Sequence, residues 1–280
     1  MAEPYNQTVK MLKFAKMRGK PAPTTLFCLA LLVTAAVSGC RNRSAETNQP
    51  GNNASEKTTS DTIAEADALY SQREDLSRVR LGIALLRQAR IADYGNYEAA
   101  WKLAKLNYYL GMHSPDDRER ESAFREGIDA GKTAVQLHDD KADGHFWLGA
   151  NYGGSAEISM LAGLANFQDI RREMEKVVQL DERYEGGSAY MALGQLYLKA
   201  PKILGGDNHK AVEYLEKGLR VGNNNGMLRL HLAKAYHAVN RDQEARKQID
   251  FILKMTPNPN YLPEYKEAVE QAKKLKGEIG

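Results

Sequence analysis

The chain has 280 residues, a mean hydropathy of −0.55 and a formal net charge of +3. The first forty residues contain five basic residues and one acidic residue, so the rest of the chain carries a formal charge of −1. This balance removes the electrostatic support for nucleic acid as a partner. The two cysteines are Cys28 and Cys40, so the sequence beyond residue 40 can form no disulfide, thiolate nucleophile or cysteine-ligated zinc site.

Residues 1–39 read as a bacterial secretory signal. Five basic residues lie between Lys10 and Lys20, and an uncharged, mostly apolar run follows over residues 24–37. As a helix that rises about 1.5 Å per residue, this run is too short to cross a hydrocarbon core of about 30 Å. Met11 and Met17 lie inside the basic region, so either is an alternative start to Met1.

Two cleavage patterns overlap at the end of this run. The letters "AVS" at 36–38 fit ordinary signal cleavage, which leaves a free protein that begins near Gly39. The letters "VSGC" at 37–40 resemble the bacterial lipobox, in which the cysteine receives a lipid before cleavage. On the second interpretation Cys40 is the first mature residue, and its lipid attaches the protein to a membrane.

Residues 40–60 are predicted to be the lipidated cysteine and a disordered tether. Residues 41–60 contain no aromatic residue and no aliphatic residue larger than alanine, so they cannot bury enough surface to offset the cost of ordering. Arg41, rather than an aspartate, follows Cys40. By resemblance to the sorting of other lipoproteins, this favours the periplasmic face of the outer membrane.

A helical phrase recurs from Asp61 onward. It reads "EAAWKLAKLNYYLG" at 98, "ADGHFWLGANYGG" at 142, "GSAYMALGQLYLK" at 187 and "GMLRLHLAKAYHA" at 226. Each phrase places a tyrosine near its end, and a second amphipathic segment that ends in a turn follows it. This alternation predicts antiparallel helix pairs that bury their apolar faces only by stacking on one another.

The repeat resembles the tetratricopeptide repeat (TPR). The last unit places seven residues on the pattern of that family: Leu232, Ala233, Tyr236, Ala245, Ile249, Ile252 and Pro257. The resemblance implies an all-α, TPR-like right-handed superhelix of four to five antiparallel helix pairs over residues 61–260. Residues 261–280 carry one apolar stripe, including Leu262, and are predicted to be a C-terminal capping helix. Small residues are expected at the seams between helices: Gly149, Gly194, Ala211, Ala233 and Ala245.

Three units carry insertions between their two helices: "MHSPDDRERESA", "GGSAEISMLAGLANFQ" and "KAPKILGGD". They are expected to emerge as loops from one edge of the array. Together with the lipobox, "GHFWLGANYGG" and "GGDNHKAVEYLEKGL", they resemble the periplasmic lipoproteins of the TRAP-transporter T-component family. That resemblance implies assistance to solute uptake alongside a periplasmic solute-binding protein.

No catalytic constellation, metal site or cofactor site is expected. The glycines of "GGDNHKA" do not form a phosphate loop, and Asp207 is predicted to cap the helix that follows. The cluster "LHDDKADGH" falls in a turn between repeats and lacks a metal-ligand spacing. Trp101 and Trp147 are assigned to packing or to a groove. The chain is therefore read as a binding protein and not as an enzyme.

Two stripes run along the first helix of each pair. Trp101, Lys105 and Tyr108 trace the packing stripe of one unit. A second stripe, offset by one residue, is predicted to line a ligand groove, and its residues are Leu106, Tyr109, Phe146, Met191, Leu198, Met227 and Leu230. The other interpretation is that the apolar insertion at 158–164 folds back over this stripe and makes it ordinary core. An apolar or amphipathic small solute is the first hypothesis for the ligand. The alternative is a TPR scaffold that holds a peptide or another envelope protein and binds no small ligand.

Overall fold

The computed structural model describes residues 58–280, apart from the side chains of residues 160–164. This part of the chain is all-helical and contains no β-strand. Its α-helices are α1 Thr59–Tyr70, α2 Leu76–Ala92, α3 Tyr97–His113, α4 Asp117–Leu137, α5 Ala142–Ile158, α6 Met160–Leu180, α7 Ser188–Lys199, α8 Asn208–Val221, α9 Gly226–Ala238, α10 Asp242–Lys254 and α11 Leu262–Ile279. The signal, Cys40 and the tether up to residue 57 lie outside the described residues.

The helices form five antiparallel pairs that are arranged in two layers. The first helices α1, α3, α5, α7 and α9 contact one another in succession, and α9 contacts α11. Each second helix packs on its own partner and on the first helix of the next pair. The first helices therefore form the inner layer and the second helices form the outer layer, which confirms the predicted stack of helix pairs.

Polar side chains fix where several helices begin. Thr58 and Asp61 form a capping box at the start of α1, and Asn96 and Asn225 cap α3 and α9. Asp207 Oδ1 accepts hydrogen bonds from the backbone N–H groups of His209 (2.9 Å) and of Lys210 (3.2 Å). The prediction that Asp207 is a helix cap is confirmed.

Small residues lie where neighbouring helices approach most closely. A Cβ atom built on Gly194 would lie 2.4 Å from Leu215 Cγ, and one built on Gly149 would lie 2.8 Å from Met174 Cε. Ala211, Ala233 and Ala245 are fully buried at the same kind of contact. The predicted seams are therefore confirmed, and side chains larger than methyl do not fit there.

Two of the three insertions do not form the loops that the sequence predicted. The first is absorbed into the end of α3 and a long α4, and the second extends α5 and α6 to either side of Ser159. Pro115 of the first insertion falls in the short break between α3 and α4, and Gly153 and Gly154 of the second stay inside α5, so most of each insertion is helical. Only the third, between α7 and α8, leaves the helices, as a short 3-10 turn over Lys202–Leu204.

The last helix covers the end of the array, as predicted. α11 packs on α9 and α10 through Ala268, Ala272 and Leu275, which are buried. Leu262 was assigned to this face but is 39% exposed, because α11 begins there, before the helix reaches its neighbours. Among residues 58–280, no helix has the length and apolar character needed to cross a membrane.

Candidate functional site

The residues predicted to line a groove fall into two separate apolar cores. Leu106, Tyr109 and Phe146 belong to the core built on α1 to α7. Leu230 belongs to a second core that extends to α11, and Met191, Leu198 and Met227 pack half-buried against it. The structure therefore does not bring the seven residues together on one surface.

Leu106 and Leu230 lie inside the helix packing and not on an open surface groove. Leu106 is 1% exposed and Leu230 is fully buried. Leu106 Cδ2 lies so close to α2 that a Cβ atom on Gly82 would be 2.7 Å from it, so this side chain fills the space between α2 and α3. Two clefts on the surface of the described part have volumes of about 420 and 330 Å³, and neither is lined by a predicted groove residue.

A lysine lies at the junction of three inner helices. Lys105 of α3 places its Nζ 4.7 Å from the ring centroid of Tyr70 on α1 and 5.4 Å from that of Trp147 on α5. The side chain is half-buried and forms no hydrogen bond or ion pair with any other described residue. Burial lowers the pKa of the Lys105 amine, and the charge of Glu185 opposes this shift.

The aromatic rings around Lys105 form a continuous cluster. Tyr108 lies 5.8 Å from Trp147, and Tyr70 meets Tyr109 edge-on at 5.7 Å, both distances being between ring centroids. Burial raises the pKa of Tyr108 and of Tyr109, so both phenols are neutral at physiological pH. The Trp147 indole N–H is buried and lies beside the Tyr184 hydroxyl. We call Tyr70, Lys105, Tyr108, Tyr109 and Trp147 the inner cluster.

An arginine at the edge of the inner cluster binds the far end of the chain. Arg73, in the turn between α1 and α2, lies over the rings of Tyr70 and Tyr109, with its guanidinium carbon 5.0 and 5.9 Å from their centroids. Its Nε and Nη2 donate to the two carboxylate oxygens of Glu264 at 3.0 and 2.7 Å. Nη2 also donates to the carbonyl of Asn260 at 2.7 Å.

Two further contacts attach the same C-terminal segment. Lys266 Nζ donates to Glu74 Oε1 at 2.8 Å, and the Tyr261 hydroxyl donates to the carboxylate of Glu185. Glu185 precedes α7 and adopts a φ of 46°, a left-handed conformation that is uncommon outside glycine. The segment before and at the start of α11 therefore joins the first pair to the turn before α7.

The histidines and aspartates at 138–145 lie in a turn and in hydrogen bonds that hold neighbouring helices together. His138 and Asp140 lie in the turn between α4 and α5, as predicted. His145 Nδ1 lies 2.7 Å from Glu173 Oε2, and its Nε2 lies 3.1 Å from the Asp139 carbonyl. Burial alone would lower the pKa of His145, but these hydrogen bonds have the larger combined effect, so its pKa is raised. Both ring nitrogens are therefore engaged. Within residues 58–280, no three His, Cys, Asp or Glu side chains are placed to share a metal ion.

Sequence reasoning placed Lys105 and Tyr108 on a packing stripe but did not identify the inner cluster. Arg73, Glu173 and Glu264 carried no local signal, because their partners lie far away in the sequence. The position of Lys105 on a stripe with Trp101 and Tyr108 was a usable signal in the sequence, since a lysine on a packing stripe is unusual.

Comparison with known proteins supports the fold. A family model described as "Regulator of microtubule dynamics protein 1-3" matches residues 62–200. A thermophilic TPR protein of Thermus thermophilus is similar in structure, with a TM-score of 0.57 and 19% identity over 76% of this chain and 100% of its own. The chain therefore has a tetratricopeptide-like fold.

Two other solved structures are less similar. The pilF protein of Pseudomonas aeruginosa gives a TM-score of 0.49 at 18% identity over 76% of this chain and 91% of its own. YrrB, a TPR protein with an unusual peptide-binding site, gives 0.45 at 13% identity over 80% of this chain and 94% of its own. No curated protein is significantly similar to the chain in sequence. None of the matches described here is a T-component of a TRAP transporter.

Proposed function

We propose that this protein is a scaffold that binds a segment of a partner protein on its inner helix layer. The observation that carries the proposal is the set of half-buried aromatic side chains on that layer: Tyr70 on α1, and Trp101 and Tyr108 on α3. Tyrosine and tryptophan supply much of the binding energy at protein interfaces, since they bury large surfaces at low entropic cost. The function is therefore binding, not catalysis.

The inner layer is held rigid by polar contacts between successive first helices. Lys102 of α3 binds Asp67 of α1, Asn151 of α5 donates to the Ala104 carbonyl of α3 at 2.9 Å, and Lys199 of α7 binds Glu157 of α5 at 2.6 Å. A surface that is fixed before a partner arrives loses little conformational entropy on binding.

An apolar solute delivered to a TRAP-type transporter is the less favoured function. That hypothesis depended on a continuous aliphatic groove, and Leu106 and Leu230 are instead enclosed by the core. The aromatic rings of the inner layer are accompanied by Arg73, and aromatic residues and arginine are enriched at protein interfaces.

We also propose that Cys40 carries lipid and tethers the scaffold to the periplasmic face of a bacterial membrane, the outer membrane being favoured. The support for this comes from the sequence, namely the lipobox and the polar segment that follows it. A tether of about twenty flexible residues would hold the scaffold on the order of 25 Å from the membrane.

Affinity capture with the full-length protein from solubilised membranes tests the scaffold function. The wild type and Trp101→Ala are compared with Tyr94→Ala, which removes an aromatic ring that is 73% exposed in the turn between α2 and α3. The wild type and Tyr94→Ala should capture the same protein and bind it after purification, whereas Trp101→Ala should lose it. A partner that binds Trp101→Ala as tightly as the wild type would contradict an inner-layer site.

A further inference from the structure

Lys105 forms no ion pair with any residue among residues 58–280, although the charges of Glu185 and Asp67 act on it from a distance. It is half-buried between two aromatic rings, where water can solvate the ammonium group only in part. Partial burial of an uncompensated charge is unfavourable, and an incoming carboxylate relieves it.

The acidic side chains around Lys105 are engaged elsewhere. Asp67, whose charge acts on Lys105, binds Lys102. Glu185, whose charge also acts on Lys105, accepts from the Tyr261 hydroxyl. Glu264 binds Arg73 with both carboxylate oxygens. These three carboxylates therefore form their direct contacts elsewhere and leave Lys105 without an ion pair among residues 58–280.

Arg73, at the edge of the inner cluster, already binds one carboxylate of the protein itself. The ring of Tyr70 is shared by Arg73, at 5.0 Å, and by Lys105, at 4.7 Å. The Arg73 side of this ring is occupied by Glu264, which arrives on the segment "NYLPE" at 260–264. A carboxylate thus fits beside the Tyr70 ring when it is bound by a cation that lies over that ring.

We propose that Lys105 binds an acidic side chain of a partner peptide, flanked by an aromatic or aliphatic residue that packs on Tyr70, Tyr108 or Trp147. This inference rests on the proposed scaffold function and specifies the chemistry of its partner. The carboxylate gains a charge-assisted hydrogen bond, and the flanking residue gains contact with the rings.

The test begins with a random twelve-residue peptide library displayed on phage and selected on the immobilised full-length wild type. Each selected peptide is synthesised in three forms: unchanged, with each Asp or Glu replaced by Asn or Gln, and with an amidated C-terminus. Affinities are then measured by fluorescence anisotropy for the wild type, Lys105→Gln and Lys141→Gln. Lys141 is the matched control, because its Nζ also lies 4.7 Å from a tyrosine ring, that of Tyr97, but the residue is exposed.

For the wild type and Lys141→Gln, the acidic peptide should bind about tenfold more tightly than its amide counterpart, which is the usual contribution of one charge-assisted hydrogen bond. Lys105→Gln should bind the acidic peptide about tenfold more weakly and should no longer distinguish the two forms. Amidation of the C-terminus should change little. Circular dichroism should show that Lys105→Gln keeps the wild-type fold, since the substitution removes an unpaired charge. The comparison of acidic and amide peptides on the wild type remains informative even if a variant fails to fold.

The Lys105 assignment is overturned if Lys105→Gln keeps the wild-type preference for the acidic peptide, while the scaffold function then still stands. It is also overturned if only the free C-terminal carboxylate matters. If the wild type selects no peptide and Trp101→Ala captures the same proteins as the wild type, both proposals fail.

Discussion

Arg73 and Glu264 are 191 residues apart in the sequence and form an ion pair with two hydrogen bonds, at 3.0 and 2.7 Å. Arg73 lies in the turn of the first helix pair, and Glu264 lies in the first turn of the last helix. The pair therefore joins the two ends of the repeat array. In an open array each pair contacts only its neighbours, so this contact adds a restraint that the repeat itself does not provide.

Removal of this carboxylate should destabilise the protein. The Arg73 side chain is 6% exposed, and Glu264→Gln would leave its charge buried without a negative partner at this position and with one of its two carboxylate acceptors replaced by an amide N–H₂ donor. We expect a loss of about 2–4 kcal/mol in the free energy of unfolding, measured in urea. Lys266→Gln breaks an ion pair with Glu74 in which both side chains are more than half exposed, and it should change stability by less than about 1 kcal/mol. Equal effects of the two substitutions would mean that the Arg73 contact is not a buried restraint.

The seams between helices should reject large side chains. Gly194→Leu would place new atoms where even a Cβ lies 2.4 Å from Leu215 Cγ, so it should lower the free energy of unfolding by about 1–3 kcal/mol or more. Gly153 on α5 has open space around its Cβ position, and Gly153→Ala should raise stability by up to about 1 kcal/mol through helix propensity. Thermal unfolding measures both changes. A Gly194→Leu variant as stable as the wild type would show that the α7–α8 contact is misplaced.

The fold could be predicted from the sequence because the same pattern of residues occurs in successive repeats. Small and aromatic residues such as Gly194 and Tyr197 recur at fixed positions, and each copy supports the reading of the others. The insertions were misjudged because a segment such as the one around Ile158 has good helix propensity and simply lengthens a neighbouring helix.

The candidate site could be predicted from the sequence only in part. Leu106 and Tyr109 lie on one helical stripe, but the stripe alone does not show which residues face the second helices and which face the neighbouring first helices. Arg73 and Glu264 could not be matched, because no local pattern links charges so far apart in the chain. Lys105 was visible as a lysine among aromatic residues, yet only the structure shows that no acidic residue within residues 58–280 forms an ion pair with it.

His231 should make the protein sensitive to acid. This residue of α9 is buried, and burial, with the charges of Lys234 and Lys199, lowers its pKa to about 3. The unfolded chain has a histidine pKa of about 6.5, so below that pH the unfolded state takes up a proton that the folded state does not. This contribution to stability is therefore complete above pH 6.5 and is lost as the pH falls towards 3, at up to about 1.4 kcal/mol per pH unit.

Urea unfolding between pH 7 and pH 4 measures this effect. His231→Gln should flatten the decline in stability, whereas His209→Gln, at an exposed position at the start of α8, should leave it unchanged. An unaltered pH dependence in His231→Gln would assign the acid sensitivity to other groups.

The lipid anchor makes a separate prediction about Cys40. Each buried methylene of an acyl chain contributes about 0.8 kcal/mol to membrane binding, so two or more chains attach a protein stably. Cys40→Ala should therefore block processing or release the protein into the soluble periplasmic fraction, as seen by fractionation and mass spectrometry. If the wild-type protein is found only in the soluble fraction, Cys40 does not carry a lipid anchor.

The binding of a partner on the inner helix layer is tested most directly by photo-cross-linking in living cells. A benzophenone amino acid is placed in the full-length protein at Trp101, on the inner layer, or at Tyr94, in the exposed turn between α2 and α3. Irradiation should link position 101, and not position 94, to one partner protein, and mass spectrometry should place the link near an acidic residue of that partner. A partner linked from position 94 and absent from position 101 would contradict the account.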